Sequence, residues 1–214
     1  MQFAYGIDMM FKQILPRLAH GNDGLIFTSL AGEYICGTDP YMYFLSHIHE
    51  LTNRLKWKPD DENSIDFRLN LKFPPSSSDT DPYEVTTKTR YSEIPLGTIF
   101  QLLVWTGGND NRDRSNHTPW GDMYVPESDW EKIRESVDTE TPLENAIVEC
   151  RWDKKVGVSG RWRFMRFRTD KEKANFIDVA KNVQESIKDG VSKEELHSWA
   201  VDIKAGWRAR HPKK

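Results

Sequence analysis

The chain has 214 residues, and its 37% hydrophobic and 12% aromatic content predicts a globular protein with a packed core rather than a disordered polypeptide. The net charge is only −3, and two cysteines, Cys36 and Cys150, are too few for a disulfide framework or a four-ligand zinc site, so we expect both to be buried thiols. No run approaches the ~20 apolar residues that span a bilayer, and the N-terminal residues lack the pattern of a secretion signal.

A helix and a β-hairpin are the first elements that the sequence predicts. Residues 3–15 place apolar side chains at helical spacing, and Pro16 ends the pattern, as expected for an amphipathic helix. Residues 25–28 and 33–36 are apolar runs on either side of a glycine-containing turn. This arrangement predicts the hairpin.

Two further strands are predicted before the composition changes. Residues 54–57 have the composition of a short strand, and residues 64–71 alternate apolar and polar side chains with a period of two. Such alternation predicts a strand that is buried on one face only. The Pro-, Ser- and Asp-rich residues 74–82 then predict a loop.

The middle of the chain predicts a small β-barrel. An apolar strand is expected at residues 97–105, a long polar excursion at 107–121 and a helix around 130–137. Two more strands are expected at 146–152 and 161–168. Several short strands and one helix within about 110 residues make the oligonucleotide-binding (OB) barrel a natural candidate.

Two helices are predicted to close the chain. Apolar residues recur at helical spacing from residue 174 to 187 and again from 196 to 207. Ser192, with Glu195 three residues later, predicts a capping box at the start of the second helix. The whole pattern predicts an α+β fold.

Basic residues concentrate in two segments of this weakly acidic chain. Residues 151–173 contain nine Lys or Arg against three acids, and residues 204–214 contain five Lys or Arg and no acid. A basic run is often only a solvated face, but it is also what binding of phosphate groups requires.

Lys56-Trp57-Lys58 is the first pattern along the chain that indicates a chemical function. On a strand it places two ammonium groups on one face and an indole on the other, which suits clamping of a polyphosphate while Trp57 anchors the strand. The alternative is two solvated lysines beside a core tryptophan. Asp23-Gly24, just before the first strand, is either an acidic ligand or an ordinary turn.

Residues 161–168 interleave cations and aromatic rings, a combination that suits either stacking of bases or holding of phosphates. We expect Arg166, Arg168 and Lys171 to be the residues that contact a nucleotide. The alternative is that the arginines are paired with acids on the opposite strand.

In order and in sequence, these patterns resemble the last three nucleotide-binding motifs of the covalent nucleotidyltransferases, in the form used by the fungal-type mRNA capping enzyme (GTP:RNA guanylyltransferase). The Lys-x-Asp-Gly motif, whose lysine attacks GTP in that family, does not occur in this sequence. The strings that carry the resemblance are Gly21-Asn22-Asp23-Gly24-Leu25-Ile26-Phe27-Thr28, Leu55-Lys56-Trp57-Lys58-Pro59 and Arg166-Phe167-Arg168-Thr169-Asp170-Lys171.

The resemblance implies a fold and a division of the chain. Residues 1–62 are expected to be the C-terminal remnant of a nucleotidyltransferase (ATP-grasp/ligase-like) domain. Residues 63–190 are expected to form an OB-fold β-barrel, and residues 191–214 a C-terminal helix and basic tail.

The resemblance also implies a reaction, in which GMP is transferred from GTP to the diphosphate end of nascent RNA. Lys56 and Lys58 are expected to contact the α-phosphate, and Asp23 to bind Mg²⁺ or Mn²⁺. Arg166, Arg168 and Lys171 are expected to bind the remaining phosphates of GTP, with Asp170 orienting them. The implied setting is the nucleus, with an RNA triphosphatase subunit and the phosphorylated tail of RNA polymerase II as partners and no membrane.

Two features depart from the family. Without the nucleophilic lysine we expect this chain to be a truncated form that is inactive on its own. Residues 41–53 form an apolar insertion where the family has a short connection. One hypothesis is a gene model with an internal start and a retained intron; the other is a genuine short homologue.

The sequence leaves two rival functions open. The first is a catalytically dead OB-fold module that binds RNA or the polymerase tail, which the missing nucleophile favours. The second is a polynucleotide ligase, which shares the fold but not the Lys-Trp-Lys-Pro string.

Overall fold

The computed structural model describes residues 3–30, 36, 42–45, 54–59, 62–73, 97–110, 113–136 and 143–211. It divides the chain into two compact units, residues 1–62 together with 185–214, and residues 63–184. Helices and strands both contribute, so the predicted α+β class is confirmed. The domain limits drawn from the sequence stay a prediction.

The described residues contain eight strands and five α-helices. The helices are α1 (Ile7–Met9), α2 (Glu127–Ser136), α3 (Ile177–Asp189), α4 (Lys193–Ser198) and α5 (Ala200–Arg210). The strands are β1 (Leu25–Thr28), β2 (Met42–Phe44), β3 (Arg54–Trp57), β4 (Ser64–Lys72), β5 (Ile99–Trp105), β6 (His117–Tyr124), β7 (Ile147–Asp153) and β8 (Arg161–Phe167).

The predicted N-terminal helix is helical but irregular. A 3-10 turn at Ala4–Gly6 leads into the short α1, followed by a π turn at Met10–Ile14 and a 3-10 turn at Leu15–Arg17. Glycine and proline are both poor residues for a helix interior, and Gly6 and Pro16 lie near the two ends of this segment.

The first unit contains a three-stranded sheet with the order β1-β3-β2. β1 is antiparallel to β3 and β2 is parallel to it. The expected second hairpin strand falls largely on residues 33–35, outside the described residues. Cys36 is described and is exposed, so the expectation of a buried thiol was wrong there, whereas Cys150 is buried as expected.

β2 lies inside the predicted insertion at residues 41–53. Its parallel pairing with β3 places it at the outer side of the described sheet, and β1 still pairs directly with β3. Leu45, which follows β2, packs against the core of the unit. The described part of the insertion therefore joins the sheet without coming between β1 and β3.

Residues from both ends of the chain build the core of the first unit. Ile7, Trp57, Val191 and Leu196 are its buried members. The partly buried side chains packed against them are Phe11, Leu25, Phe27, Leu45, Trp199 and Ile203. The predicted capping box is confirmed, because Ser192 and Glu195 make both reciprocal hydrogen bonds at the start of α4.

The predicted second C-terminal helix is in fact two. α4 ends at Ser198 and α5 begins at Ala200, with Trp199 between them. α3 begins three residues later than the apolar pattern suggests, at Ile177. The preceding Asn175 is used instead to hydrogen-bond two barrel strands.

The second unit is built on a closed five-stranded barrel with the order β4-β5-β6-β8-β7. β4 closes it, because its first half pairs with β7 and its second half with β5. Neighbouring strands are antiparallel except for β6 and β8, which are parallel. The most deeply buried apolar side chains include Ile65, Phe67, Leu69, Leu102, Val104 and Val148.

Two expectations for the barrel were wrong. Residues 107–121 were predicted as a polar excursion, but β6 begins at His117. It tolerates Pro119 because the register with β5 shifts there, and proline within a sheet is found at such irregularities. β4 was predicted to be half-buried, but Asp66 and Arg68 are also buried, at 5% and 6% exposure.

Of the helices that the structure describes, none combines the length and the apolar character needed to cross a membrane.

Candidate functional site

Trp57 anchors the end of β3 in the core of the first unit. The residue is 3% exposed, and its Nε1 donates a hydrogen bond of 2.8 Å to the carbonyl oxygen of Val191. The Phe11 ring meets it edge-on, with centroids 5.4 Å apart. This anchoring fixes the positions of the lysines on either side.

Lys56, Lys58 and Asp23 form what we call the β3 cation cluster. The Lys58 Nζ lies 2.8 Å from Oδ2 of Asp23. The hydrogen bond from Lys58 lowers the pKa of Asp23, so this carboxylate stays ionised. Burial lowers the pKa of Lys56, and the charge of Lys58 adds to the effect.

Gly24 brings Asp23 to this cluster. Its φ is +150°, and a Cβ at this position would lie 2.0 Å from the carbonyl oxygen of Trp57. Only glycine allows so close an approach of the chain to β3. Gly24 is therefore needed where the β1–β3 pairing starts.

Asp23 is the one side chain of the β3 cation cluster that can bind a metal. Within the described ranges, no group of three or more His, Cys, Asp or Glu side chains is placed to hold a metal ion. A single carboxylate nevertheless suits Mg²⁺, which proteins commonly bind through one or two carboxylates together with substrate phosphates.

The Arg168-Thr169-Asp170-Lys171 segment of the second unit folds back on itself. The Lys171 amide donates to the Arg168 carbonyl oxygen at 3.0 Å, which makes a turn after β8. The Arg168 guanidinium binds both carboxylate oxygens of Asp170, each at 2.8 Å. This bidentate pair raises the pKa of Arg168 and lowers that of Asp170.

Asp66 ties this turn to the barrel, and it was not among the residues predicted from the sequence. Its carboxylate accepts hydrogen bonds from Arg168, at 3.0 and 3.2 Å, and from Lys171. In the sequence Asp66 is one of the regularly spaced polar residues of the alternating segment 64–71, so nothing there marked it as buried. We call Arg166, Arg168, Asp170, Lys171, Asp66 and Glu149 the β8 cation cluster.

Asn175 was missed as well. Its side-chain oxygen accepts from the Asp66 amide at 2.8 Å, and its own amide donates to the Asp66 carbonyl oxygen at 2.7 Å. Its carbonyl oxygen accepts from the Trp105 amide at 3.0 Å. Asn175 thus joins β4 to β5 where their direct pairing has ended.

Arg166 pairs with an acid on the neighbouring strand. Its Nε donates to Oε2 of Glu149 at 2.6 Å, and Ser64 donates to the other oxygen at 2.5 Å. Burial opposes ionisation of Glu149, but the hydrogen bonds from Ser64 and Arg166 outweigh it and the pKa lies below its usual value. The Arg166 side chain is still 66% exposed.

Each predicted phosphate-binding cation of the β8 cation cluster therefore already has an acidic partner. This is the arrangement that the sequence left open as the alternative. A phosphate would have to share these cations with Asp66, Glu149 and Asp170. The structure places Lys56, Lys58 and Asp23 together in the first unit and Arg166, Arg168, Asp170 and Lys171 together in the second.

Residues 62–197 match the family model described as mRNA capping enzyme, C-terminal domain. The chain is also similar to curated fungal proteins named mRNA-capping enzyme subunit alpha. The identity is 42% over 92% of this chain and 40% of the Schizosaccharomyces pombe protein. It is 36% over 100% of this chain and 48% of the Neurospora crassa protein.

A third relative of the same name, from Saccharomyces cerevisiae, is 31% identical over 98% of this chain and 45% of its own length. The chain thus spans between two fifths and one half of the curated fungal relatives that it matches.

Proposed function

Because the chain belongs to the family of mRNA capping enzyme C-terminal domains, we propose that it is the C-terminal part of a GTP:RNA guanylyltransferase. The reaction is the transfer of GMP from GTP to the diphosphate end of nascent RNA. The observation that carries this proposal is the β3 cation cluster, in which two lysines flank the buried Trp57 and one is paired with Asp23.

Lys56 and Lys58 are proposed to contact the α-phosphate of GTP. Both belong to a strand end that Trp57 fixes, so their charges are held in place before a ligand arrives. Oriented cations of this kind stabilise the charge that develops during phosphoryl transfer. Asp23 is proposed to bind Mg²⁺ or Mn²⁺, which would neutralise phosphate charge.

The barrel of the second unit is proposed to be an OB-fold. Its closed order of five strands, with β6 parallel to β8, supports this assignment. Residues 1–62 are proposed to be the remnant of the nucleotidyltransferase domain. The wider setting that we propose is the nucleus, with an RNA triphosphatase subunit and the phosphorylated tail of RNA polymerase II as partners.

The β8 cation cluster is proposed to bind the other phosphates of GTP. Arg166 is the most exposed of its cations, at 66%, although the Glu149 side chain that it pairs with is only 12% exposed. The exposed part of the Arg166 guanidinium is where a phosphate can approach without displacing Glu149. Arg168 and Lys171 are held in one turn by Asp66, which keeps both cations available together.

The test is covalent labelling with GTP radiolabelled at the α-phosphate. We expect no label on the 214-residue chain, because it contains no Lys-x-Asp-Gly motif. We expect label on a chain extended upstream to include that motif. In the extended chain, Lys58→Ala should reduce labelling by roughly 10²-fold or more, the scale seen when one oriented charge-stabilising group is lost.

Lys181→Ala is the matched control. Lys181 is an exposed lysine of α3 that is also paired with an acid, Asp178 at 3.3 Å, so its loss should leave labelling unchanged. Label on the 214-residue chain would show that another lysine is the nucleophile. An extended chain that labels equally well with Lys58→Ala would mean that Lys58 does not contact the α-phosphate. An extended chain that takes no label would favour the second candidate, a catalytically dead module that binds RNA or the polymerase tail.

A further inference from the structure

Four rings pack together in the first unit, and we call them the aromatic stack. Phe3 is parallel to Tyr5, with centroids 5.4 Å apart, and both rings are tilted against Trp207, at 6.2 and 4.7 Å. Trp207 is also stacked on His211 at 4.9 Å. The stack joins the N-terminal residues to the last turn of α5.

Phe3 and His211 are the members of the aromatic stack that are open to solvent. Phe3 is 49% exposed although it is one of the largest apolar side chains in the protein, and His211 is exposed as well. Tyr5 and Trp207 are only partly exposed. The exposed side of the Phe3 ring, which we call its outer face, is a site on which another ring can stack.

The helix that carries Trp207 is basic. Lys204, Arg208 and Arg210 are exposed, and no ion pair joins any of them to another residue in the described ranges. Asp202, in the first turn of α5, is the only acid from residue 202 to the end of the sequence. In the β3 and β8 cation clusters, by contrast, Lys58 and Arg168 already form ion pairs with carboxylates.

We propose that the aromatic stack and the cations of α5 form a binding surface for single-stranded nucleic acid. A base stacks on the outer face of Phe3, and the phosphates that follow contact Arg208 and Arg210. Aromatic rings beside a positively charged track are the combination that binds single strands without sequence preference, because every base has a face that can stack.

The positive charge of α5 distinguishes between the kinds of ligand that could bind this surface. An apolar protein segment would leave Lys204, Arg208 and Arg210 unused, and an acidic segment would leave the stacked rings unused. A single strand uses both, since it alternates flat bases with phosphates. Another aromatic residue, Trp105, is a weaker candidate because Lys173 already lies over its ring at 4.5 Å.

The experiment is fluorescence anisotropy of a short oligoadenylate that carries no 5′-phosphate, titrated with the 214-residue chain over a series of NaCl concentrations. Omitting the 5′-phosphate separates this surface from the proposed guanylyltransferase site, so either proposal can fail alone. We expect binding that saturating GTP does not displace. A duplex of the same length should bind more weakly, because its bases cannot stack on Phe3.

Two substitutions separate the contributions of stacking and charge. Phe3→Leu keeps an apolar side chain but removes the ring, and should weaken binding about five-fold or more, while Phe3→Trp should retain it. Arg208→Gln with Arg210→Gln should reduce the slope of log affinity against log salt by about 1.4, which is about 0.7 for each lost phosphate contact. Circular dichroism of Phe3→Leu checks that the variant is folded.

The matched charge control is Lys181→Gln with Lys188→Gln, two exposed lysines of α3, and it should leave the salt slope unchanged. Equal binding by wild type and folded Phe3→Leu would overturn the proposal. So would displacement of the probe by oligoglutamate as effectively as by unlabelled oligoadenylate, because that result would assign the surface to an acidic protein segment.

Discussion

Asp66 shows how one buried side chain can hold two cations that the sequence assigns to ligand binding. Its carboxylate accepts from Arg168 and Lys171 while its main chain is bound to Asn175. The Asp66→Asn substitution keeps the shape but removes the charge. We expect it to lower the free energy of unfolding by about 2 kcal/mol, the scale of hydrogen bonds to charged groups.

Urea unfolding measures this change, and Asp178→Asn is the matched control. Asp178 also pairs with a lysine, but its side chain is 67% exposed, so its replacement should change the free energy of unfolding by less than about 0.5 kcal/mol. If the two variants were equally stable, Asp66 would not be the residue that holds the turn.

Glu149 gives the protein a pH dependence whose sign can be worked out. Its pKa is lowered in the folded state by hydrogen bonds from Ser64 and Arg166, which outweigh the opposing effect of burial. An acid with a lowered pKa stabilises the fold above its usual pKa of 4.5, and this stabilisation is lost as the pH falls through the folded value.

Glu149→Gln should therefore cost about 1 kcal/mol of stability at neutral pH, and the difference from wild type should shrink as the pH falls below the usual glutamate value. Urea unfolding over a series of pH values measures it. A difference that grew on acidification would mean that Glu149 is held in its neutral form.

At the scale of elements, the pairing of β1 with β3 depends on Gly24. A Cβ at Gly24 would lie 2.0 Å from a Trp57 main-chain oxygen, so Gly24→Ala must push β1 away from β3. We expect a loss of stability of about 2 kcal/mol, combining strain at a positive φ with weakened pairing. Hydrogen exchange of the β3 amides should accelerate.

Gly21→Ala is the control for this change, because a Cβ at Gly21 has no heavy atom within 4 Å. It should leave both stability and β3 exchange unchanged. Equal effects at the two glycines would mean that chain flexibility, and not the close approach to Trp57, is what matters at this point.

Element prediction succeeded where one local signal sufficed. β3 was expected at the residues where it lies, and the capping box of α4 needed only Ser192 and Glu195. Strand prediction failed for β6 because it contains Pro119 and Gly121, and proline and glycine are uncommon inside strands. The bulge that accommodates them forms only where β6 pairs with β5.

At the scale of the whole molecule, the two units differ in whether their described sheet has outer strands. The barrel of the second unit is closed, whereas β1 and β2 are the outer strands of the described sheet in the first unit. Closure removes strand edges, and outer strands open more readily. We expect amides of β4, β5 and β7 to exchange more slowly than those of β1 and β2.

Native-state hydrogen exchange with residue-level resolution measures this order. Amides of α3 provide an internal reference for helical protection in the same sample. Equal protection of β2 and β5 would contradict the expectation that outer strands open more readily than the strands of the closed barrel.

The sequence by itself determined the family resemblance, the α+β class and the identity of the cations, because each depends on residue type and local spacing. It singled out these cations together with Asp23 and Asp170, but not their other partners, Asp66 and Glu149. Only the tertiary structure brought Asp66 to the turn after β8, Asn175 to β4, and Phe3 to Trp207, because those contacts join residues far apart in the chain. Side-chain spacing along a strand or helix is fixed locally, whereas such contacts depend on how the strands and helices pack.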